Sequence, residues 1–327
     1  MFPDLGEFSF IDSLLKKSLP MGEVPPAHRG WLPVGDDCAM FDGWLVTKDL
    51  SVEGTHFRMD WSTPEQAVEK HIVSNVSDIS AMGGVAKLAI SGICINKSWN
   101  EQTRRRIGDA VAEGFAKRGI ALVGGDTVAA GCGMLSTTLL GTLGAQSPLV
   151  RSGARVGDGV FVAGTLGKSA AGLWILMNHP EARSEFPTLV DYHLAPSIDE
   201  RCGAKLLEMG VRGACMDISD GLSSELNHLA LSSGVCIEIE EQNIPIDPEV
   251  LRLCVRYHID PLDFALNGGE EYELLFSVSA KNDIFQRNDA LPGGVFRIGT
   301  VVDGSGVRMR CRDGEERYVK AQAWSHL

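Results

Sequence analysis

Seven aspartates stand in five short motifs between residues 35 and 221: Gly35-Asp36-Asp37, Thr47-Lys48-Asp49, Ser77-Asp78, Gly124-Gly125-Asp126-Thr127 and Asp217-Ile218-Ser219-Asp220-Gly221. An aspartate beside glycine usually marks a turn. If these carboxylates converge in space, they form a concentrated anionic site, tolerable only when cations fill it. Hard cations held by carboxylate oxygens are the usual means of handling phosphates.

Each motif also has a local meaning. Adjacent aspartates point different ways, so at most one of Asp36 and Asp37 faces a given ion and the other is left to a turn. Asp49 is expected at the end of a strand. His71, Asn75 and Asp78 are spaced by four and three, so they share one helix face, which solvent alone would also explain. Gly124-Gly125 is expected just past a strand over 120–123, where backbone can approach a ligand and where ligands of α/β sheets gather. Asp217 to Gly221 sits at a strand-to-helix junction, whose free N–H groups and positive dipole end suit phosphate oxygens. Ser219 or Asp220 acting as a helix cap would look the same. Gly268-Gly269-Glu270-Glu271-Tyr272-Glu273 leads into an apolar strand. Gly164-Thr165-Leu166-Gly167-Lys168-Ser169 resembles a phosphate-binding glycine loop but fails its spacing, because Val162 stands where the first glycine belongs.

Helices are expected over 7–19, from Pro64 to Met82, and over 101–117, 169–177, 198–209, 222–231 and 247–257, and the Pro64 helix is expected to be capped by Ser62 or Thr63. Strands are expected over 44–49, 87–95, 120–123, 134–143, 160–163, 214–216, 235–239, 272–278, 295–302 and 306–311. Residues 20–33 hold four prolines and read as a loop. The pattern restarts near 148, giving two α/β (α+β) domains, 1–148 and 149–327.

The 327 residues carry a net charge of −13, which excludes a surface built for nucleic acid or anionic membrane. Hydrophobic residues make up 44%, enough for full cores. The eight cysteines form no Cys-x-x-Cys pair and read as reduced, buried thiols in a cytoplasmic protein. No apolar run is long enough for a membrane span, and the N-terminus lacks the pattern of a signal peptide.

In this order, the motifs resemble the thiamine-monophosphate kinases, joined by Val52-Glu53-Gly54-Thr55-His56-Phe57, Arg151-Ser152-Gly153-Ala154 and Gly268-Gly269-Glu270. Aminoimidazole ribonucleotide synthetase and selenophosphate synthetase belong to the wider superfamily. The resemblance implies a two-domain fold whose N-terminal domains build a shared barrel across a homodimer, with ATP in the cleft between domains. It implies several Mg²⁺ ions held by Asp37, Thr47, Lys48, Asp49, Asp78, Asp126, Asp217 and Asp220, of which Asp126, Asp217 and Asp220 act in catalysis. ATP contacts fall on Gly125, Asp126, Arg151 and Ser219. Contacts to thiamine monophosphate fall on His56, Glu270 and Trp324, the last matched only by its place near the C-terminus. Lys48 departs from the small residue common in the family, and Glu271 from the aspartate usual there. The activity implied is ATP-dependent phosphorylation of thiamine monophosphate. The alternatives are a relative acting on another small substrate with ATP, and a non-catalytic Mg-nucleotide sensor.

Overall fold

The computed structural model describes residues 35–144, 147–282 and 291–322. The expected helix at 7–19, the loop at 20–33 and Trp324 lie outside them.

The first sheet holds β1 (Ala39–Phe41), β2 (Trp44–Val52), β3 (Val85–Asn96), β4 (Ala121–Ala130) and β5 (Met134–Thr142) in the order β1-β2-β5-β3-β4. Two helices cover one face, α1 (Pro64–Ala81) and α2 (Glu101–Ala116). Thr63 begins α1 with a reciprocal capping box: its hydroxyl accepts from the Gln66 amide and its own amide donates to the Gln66 side chain. The apolar stripe Val68, Ile72, Val76 and Ile79 packs on Leu45, Leu135 and Leu139. Truncating a fully buried member such as Ile72 to alanine costs about 2–5 kcal/mol.

The second sheet follows the order β12-β11-β8-β10-β6-β9-β7. Its strands are β6 (Gly159–Ala163), β7 (Cys215–Asp217), β8 (Cys236–Glu240), β9 (Leu274–Val278), β10 (Val295–Val302), β11 (Gly306–Arg310) and β12 (Glu316–Tyr318). Its helices are α3 (Lys168–Asn178), α4 (Pro187–Leu194), α5 (Cys202–Glu208), α6 (Leu222–Ser233), α7 (Pro248–Tyr257) and α8 (Pro261–Asn267). Strand β6 is buried on both sides. Val160 and Val162 join the core under α6, while Phe161 and Ala163 join the core with α5.

Three expectations need correction. Strand β2 runs past Asp49 to Val52, so Asp49 lies within it. Helices α4 and α8 were not expected, and α5 begins at Cys202 rather than 198. Most important, Gly124-Gly125-Asp126-Thr127 lies inside β4, not beyond its end. The parallel ladder to β3 continues through it, after a register shift opposite Ala89 and Ile90. Gly125 is needed for strand packing, since a Cβ there would stand 2.0 Å from the Ser91 carbonyl oxygen.

The two sheets share α1. Its last residue, Ala81, belongs to the core of the second sheet, and the helix also packs on β7 and α5. Gly203 of α5 lies so close that a Cβ would fall 1.7 Å from the Ser80 carbonyl oxygen.

Candidate active site

Side chains alternate along β2, so Thr47 and Asp49 face α1 while Lys48 faces the opposite side of the sheet. The Lys48 ammonium donates to Ser136 Oγ there at 2.6 Å. Its long side chain therefore leaves the α1 side clear, and only its backbone stands between Thr47 and Asp49. Thr47 Oγ1 donates to Asp78 Oδ2 at 2.5 Å.

Asp78 comes from the last turn of α1. It meets Asp37, from the segment before β1, and Asp217, the final residue of β7, so that one carboxylate oxygen from each lies within 4.8 Å of the others. Burial pushes the Asp78 carboxyl well above its ordinary range, and Asp49, Asp217 and Asp37 add to the rise. Asp217 is pushed up to about 7, first by burial and then by Asp37. Three of the expected ligands, Asp37, Asp78 and Asp217, thus meet in one place, and a fourth, Asp49, lies near enough that its charge raises both Asp78 and Asp217. A divalent cation relieves their repulsion, and hard oxygen donors suit Mg²⁺. The donor set fits: Asp37 Oδ2 is buried with no hydrogen-bond partner among the described residues.

Neighbouring groups position these carboxylates. Arg151 donates to Asp37 Oδ1 through Nη2 and Nε, forming an ion pair, and its backbone amide donates to Asp36 Oδ1 at 2.6 Å. Asp36, assigned to a turn, therefore anchors Arg151. Ser77 Oγ donates to Asp217 Oδ2 at 2.5 Å. Asn75 accepts from the Asp49 amide at 3.3 Å and donates to the His71 carbonyl. His71 is a core residue. Its ring nitrogens contact Ser51 Oγ at 2.8 Å and Thr137 Oγ1 at 2.9 Å, and burial lowers its pKa to about 3.

Asp217 to Gly221 forms a tight turn into α6, capped differently from either expectation. Gly221 precedes the helix without a side-chain cap. Glu225, buried in the first turn, reaches back instead: its Oε1 accepts from the amides of Ser219 at 3.1 Å and Asp220 at 2.8 Å. Those two amides are not available to a phosphate. The spacing is five and six residues against the three of the usual capping box, so the sequence pattern does not mark Glu225. Ser219 and Asp220 are half-buried beside it.

Asp126 stands apart. It is exposed on edge strand β4 and pairs in register with Gly92, opposite Ser136 of β5. That row places it on the Lys48 side of the sheet, away from α1. Gly125 is exposed beside it.

His56 and Glu270 are brought near each other by Lys70 of α1, a residue the sequence did not single out. Its ammonium donates to Glu270 Oε2 at 2.6 Å and to the His56 carbonyl at 3.3 Å. Lys168, in the rejected glycine loop, pairs with Glu273 at 3.5 Å and lies over the Tyr192 ring.

Residues 35–143 match the family described as AIR synthase related protein, N-terminal domain, and residues 155–312 match its C-terminal domain. Thiamine-monophosphate kinase of Aquifex aeolicus is 34% identical over 99% of both chains. That of Mycobacterium tuberculosis is 34% identical over 92% of this chain and 86% of its own. The solved structure of AaThiL complexed with AMPPCP and TMP superposes with a TM-score of 0.83 at 32% identity, covering 100% of this chain and 99% of that one. The hydrogenase maturation protein HypE, at 20% identity and a TM-score of 0.67, shares the fold. At this identity over nearly the full length, the chain belongs to the thiamine-monophosphate kinase family.

Proposed function

We propose that this protein transfers the γ-phosphoryl group of ATP to the phosphate of thiamine monophosphate, giving ADP and thiamine diphosphate. The convergence of Asp37, Asp49, Asp78 and Asp217 carries the reading, supported by the AMPPCP and TMP complex of its relative. Two polyanions must meet, and two unit charges 4 Å apart repel by about 4 kcal/mol at an effective dielectric of 20. Bound Mg²⁺ supplies the neutralisation and in-line alignment that such a transfer needs. Asp37, Asp49, Asp78 and Asp217, with the Thr47 hydroxyl and the Lys48 carbonyl, would hold the ions, and Asp220 would complete the set; Asp126, on the opposite side of the first sheet, is proposed as a further ligand on the family resemblance alone. Arg151 and Ser219 would face ATP, and His56 and Glu270 the acceptor. The attacking phosphate oxygen is already anionic near neutral pH, so no strong base is required. His71, locked between two hydroxyls, is not a candidate for one.

The homodimer is part of this proposal. Leu50 and Ile90, 50% and 46% exposed, lie on the uncovered face of the first sheet, and the β4 edge exposes Leu122, Val123 and Val128. A second copy set against this face and edge would bury them and build the shared barrel. The division at 148/149 is supported by the separation of the two sheets, and a cytoplasmic location by eight free cysteines. No helix among the described residues is long and apolar enough to cross a membrane.

The test is direct: incubation with ATP, Mg²⁺ and thiamine monophosphate should give ADP and thiamine diphosphate in equal amounts, and EDTA should stop it. Turnover with a different acceptor only, or Mg-ATP binding with no ADP formed, would replace this reading.

A further inference from the structure

We propose that Lys70 is a positioning residue of the acceptor site, orienting the Glu270 carboxylate and tethering the His56 segment for the incoming substrate. The inference rests on reading Glu270 and His56 as acceptor contacts.

Glu270 needs such a residue because its backbone is unusual. It has φ +63°, in the left-handed region that side chains rarely adopt, and Tyr272 follows with φ +56°. Such conformations persist only where the surroundings over-determine them, and they cluster at ligand sites. The backbone here is pinned to the turn that carries Asp217: the Glu270 amide donates to the Ser219 carbonyl at 2.7 Å and the Tyr272 amide to that of Ile218 at 2.8 Å. The side chain is pinned separately. Lys70 Nζ takes Oε2 at 2.6 Å, and His193 Nδ1 lies 3.5 Å from the same oxygen. Burial keeps His193 neutral by lowering its pKa well below the ordinary value, so Lys70 supplies the cation.

The Lys70 side chain is 7% exposed and that of Glu270 27%. The ammonium is thus held inside the protein while the carboxylate stays within reach of a ligand. Lys70 engages Oε2, so Oε1 is the oxygen presented to the cationic ring of the substrate. The same ammonium holds the His56 carbonyl at 3.3 Å, so one group ties together both described acceptor contacts. Lys70 and Asp78 lie eight positions apart on one helix, about 12 Å along its axis at 1.5 Å per residue. One rigid element thereby sets both the acceptor pocket and the metal cluster.

Steady-state kinetics on Lys70→Met, Lys70→Arg, Glu270→Gln and Lys70→Met/Glu270→Gln test this, with circular dichroism confirming the fold of each. Lys70→Met is expected to raise KM for thiamine monophosphate at least tenfold while KM for ATP stays within twofold. Lys70→Arg should recover part of that loss. In the Glu270→Gln background, Lys70→Met should add less than a further threefold, because it acts through Glu270. An unchanged KM for thiamine monophosphate, an equal rise in both KM values, or multiplying effects in the double variant would overturn the proposal. If Lys70→Met does not fold, Lys70→Arg decides: a KM for thiamine monophosphate equal to that of the wild type overturns it, and a selective rise supports it. Failure of the wild type to form thiamine diphosphate would instead overturn the proposed function.

Discussion

The Ser77 hydroxyl and the Asp217 carboxylate meet at 2.5 Å across 140 residues of chain, joining α1 to the end of β7. Asp217 is the member of the acidic cluster that comes from the second sheet. Asp217→Asn removes one of four repelling carboxylates while keeping an oxygen for Ser77. Turnover should fall by at least about a hundredfold, as on losing a strong electrostatic contact. Without Mg²⁺ the variant should melt about 2–4 °C higher, equivalent to roughly 1 kcal/mol of relieved repulsion. A near wild-type rate would remove Asp217 from the metal set.

Asp126 offers the opposite combination. Its side chain is exposed on an edge strand, so Asp126→Asn should leave the melting temperature of the metal-free protein within about 1 °C, as surface changes do. Turnover should still fall about a hundredfold if the residue completes the ion set. Thermal melts and rates on the same preparation separate the two effects, and an unimpaired rate would exclude Asp126 from the site.

His71 predicts acid sensitivity. Its pKa is about 3 in the folded protein against an ordinary 6.5. Between those values the unfolded chain takes up a proton that the folded chain refuses, so stability falls as pH drops below 6.5, by up to about 1.4 kcal/mol per pH unit for this group. His71→Asn should flatten that part of the profile in urea melts followed from pH 7 to pH 4. An identical slope in the variant would show that other groups set it.

The exposed face of the first sheet predicts self-association. Ile90→Glu places a charge among residues that a second copy would bury. Light scattering after size exclusion should show the wild type at twice the chain mass and the variant at the chain mass. A wild type that runs as a monomer at micromolar concentration would contradict the paired arrangement.

Much of this architecture can be read from the chain because local signals agree with the fold. The stripe Val68, Ile72, Val76 and Ile79 has helical period, and Pro64 and Thr63 mark where it starts. The Gly124-Gly125 pair misleads because glycine signals a turn, whereas here Gly125 admits the close approach of β3 and β4. Helices α4 and α8, of eight and seven residues, are too short to display a period. The acidic residues were visible as a set, and four of them converge. The positioning groups were not: Lys70 reads as an ordinary helix residue and Ser77 only as the neighbour of Asp78, and only the crossing of α1 with the second sheet gives them partners. The side of the sheet that Asp126 occupies depends on a register shift that no local pattern announces.

Where Gly203 abuts the Ser80 carbonyl, the backbones of α5 and α1 touch without a side chain between them, two residues from Asp78. A single methyl at position 203 has no chemistry of its own. Yet it would wedge the two helices apart and carry Asp78 away from Asp217. Drift at this silent position is therefore as dangerous to ion retention as loss of a carboxylate, and mutational tolerance along the chain will not map onto its reactive groups alone.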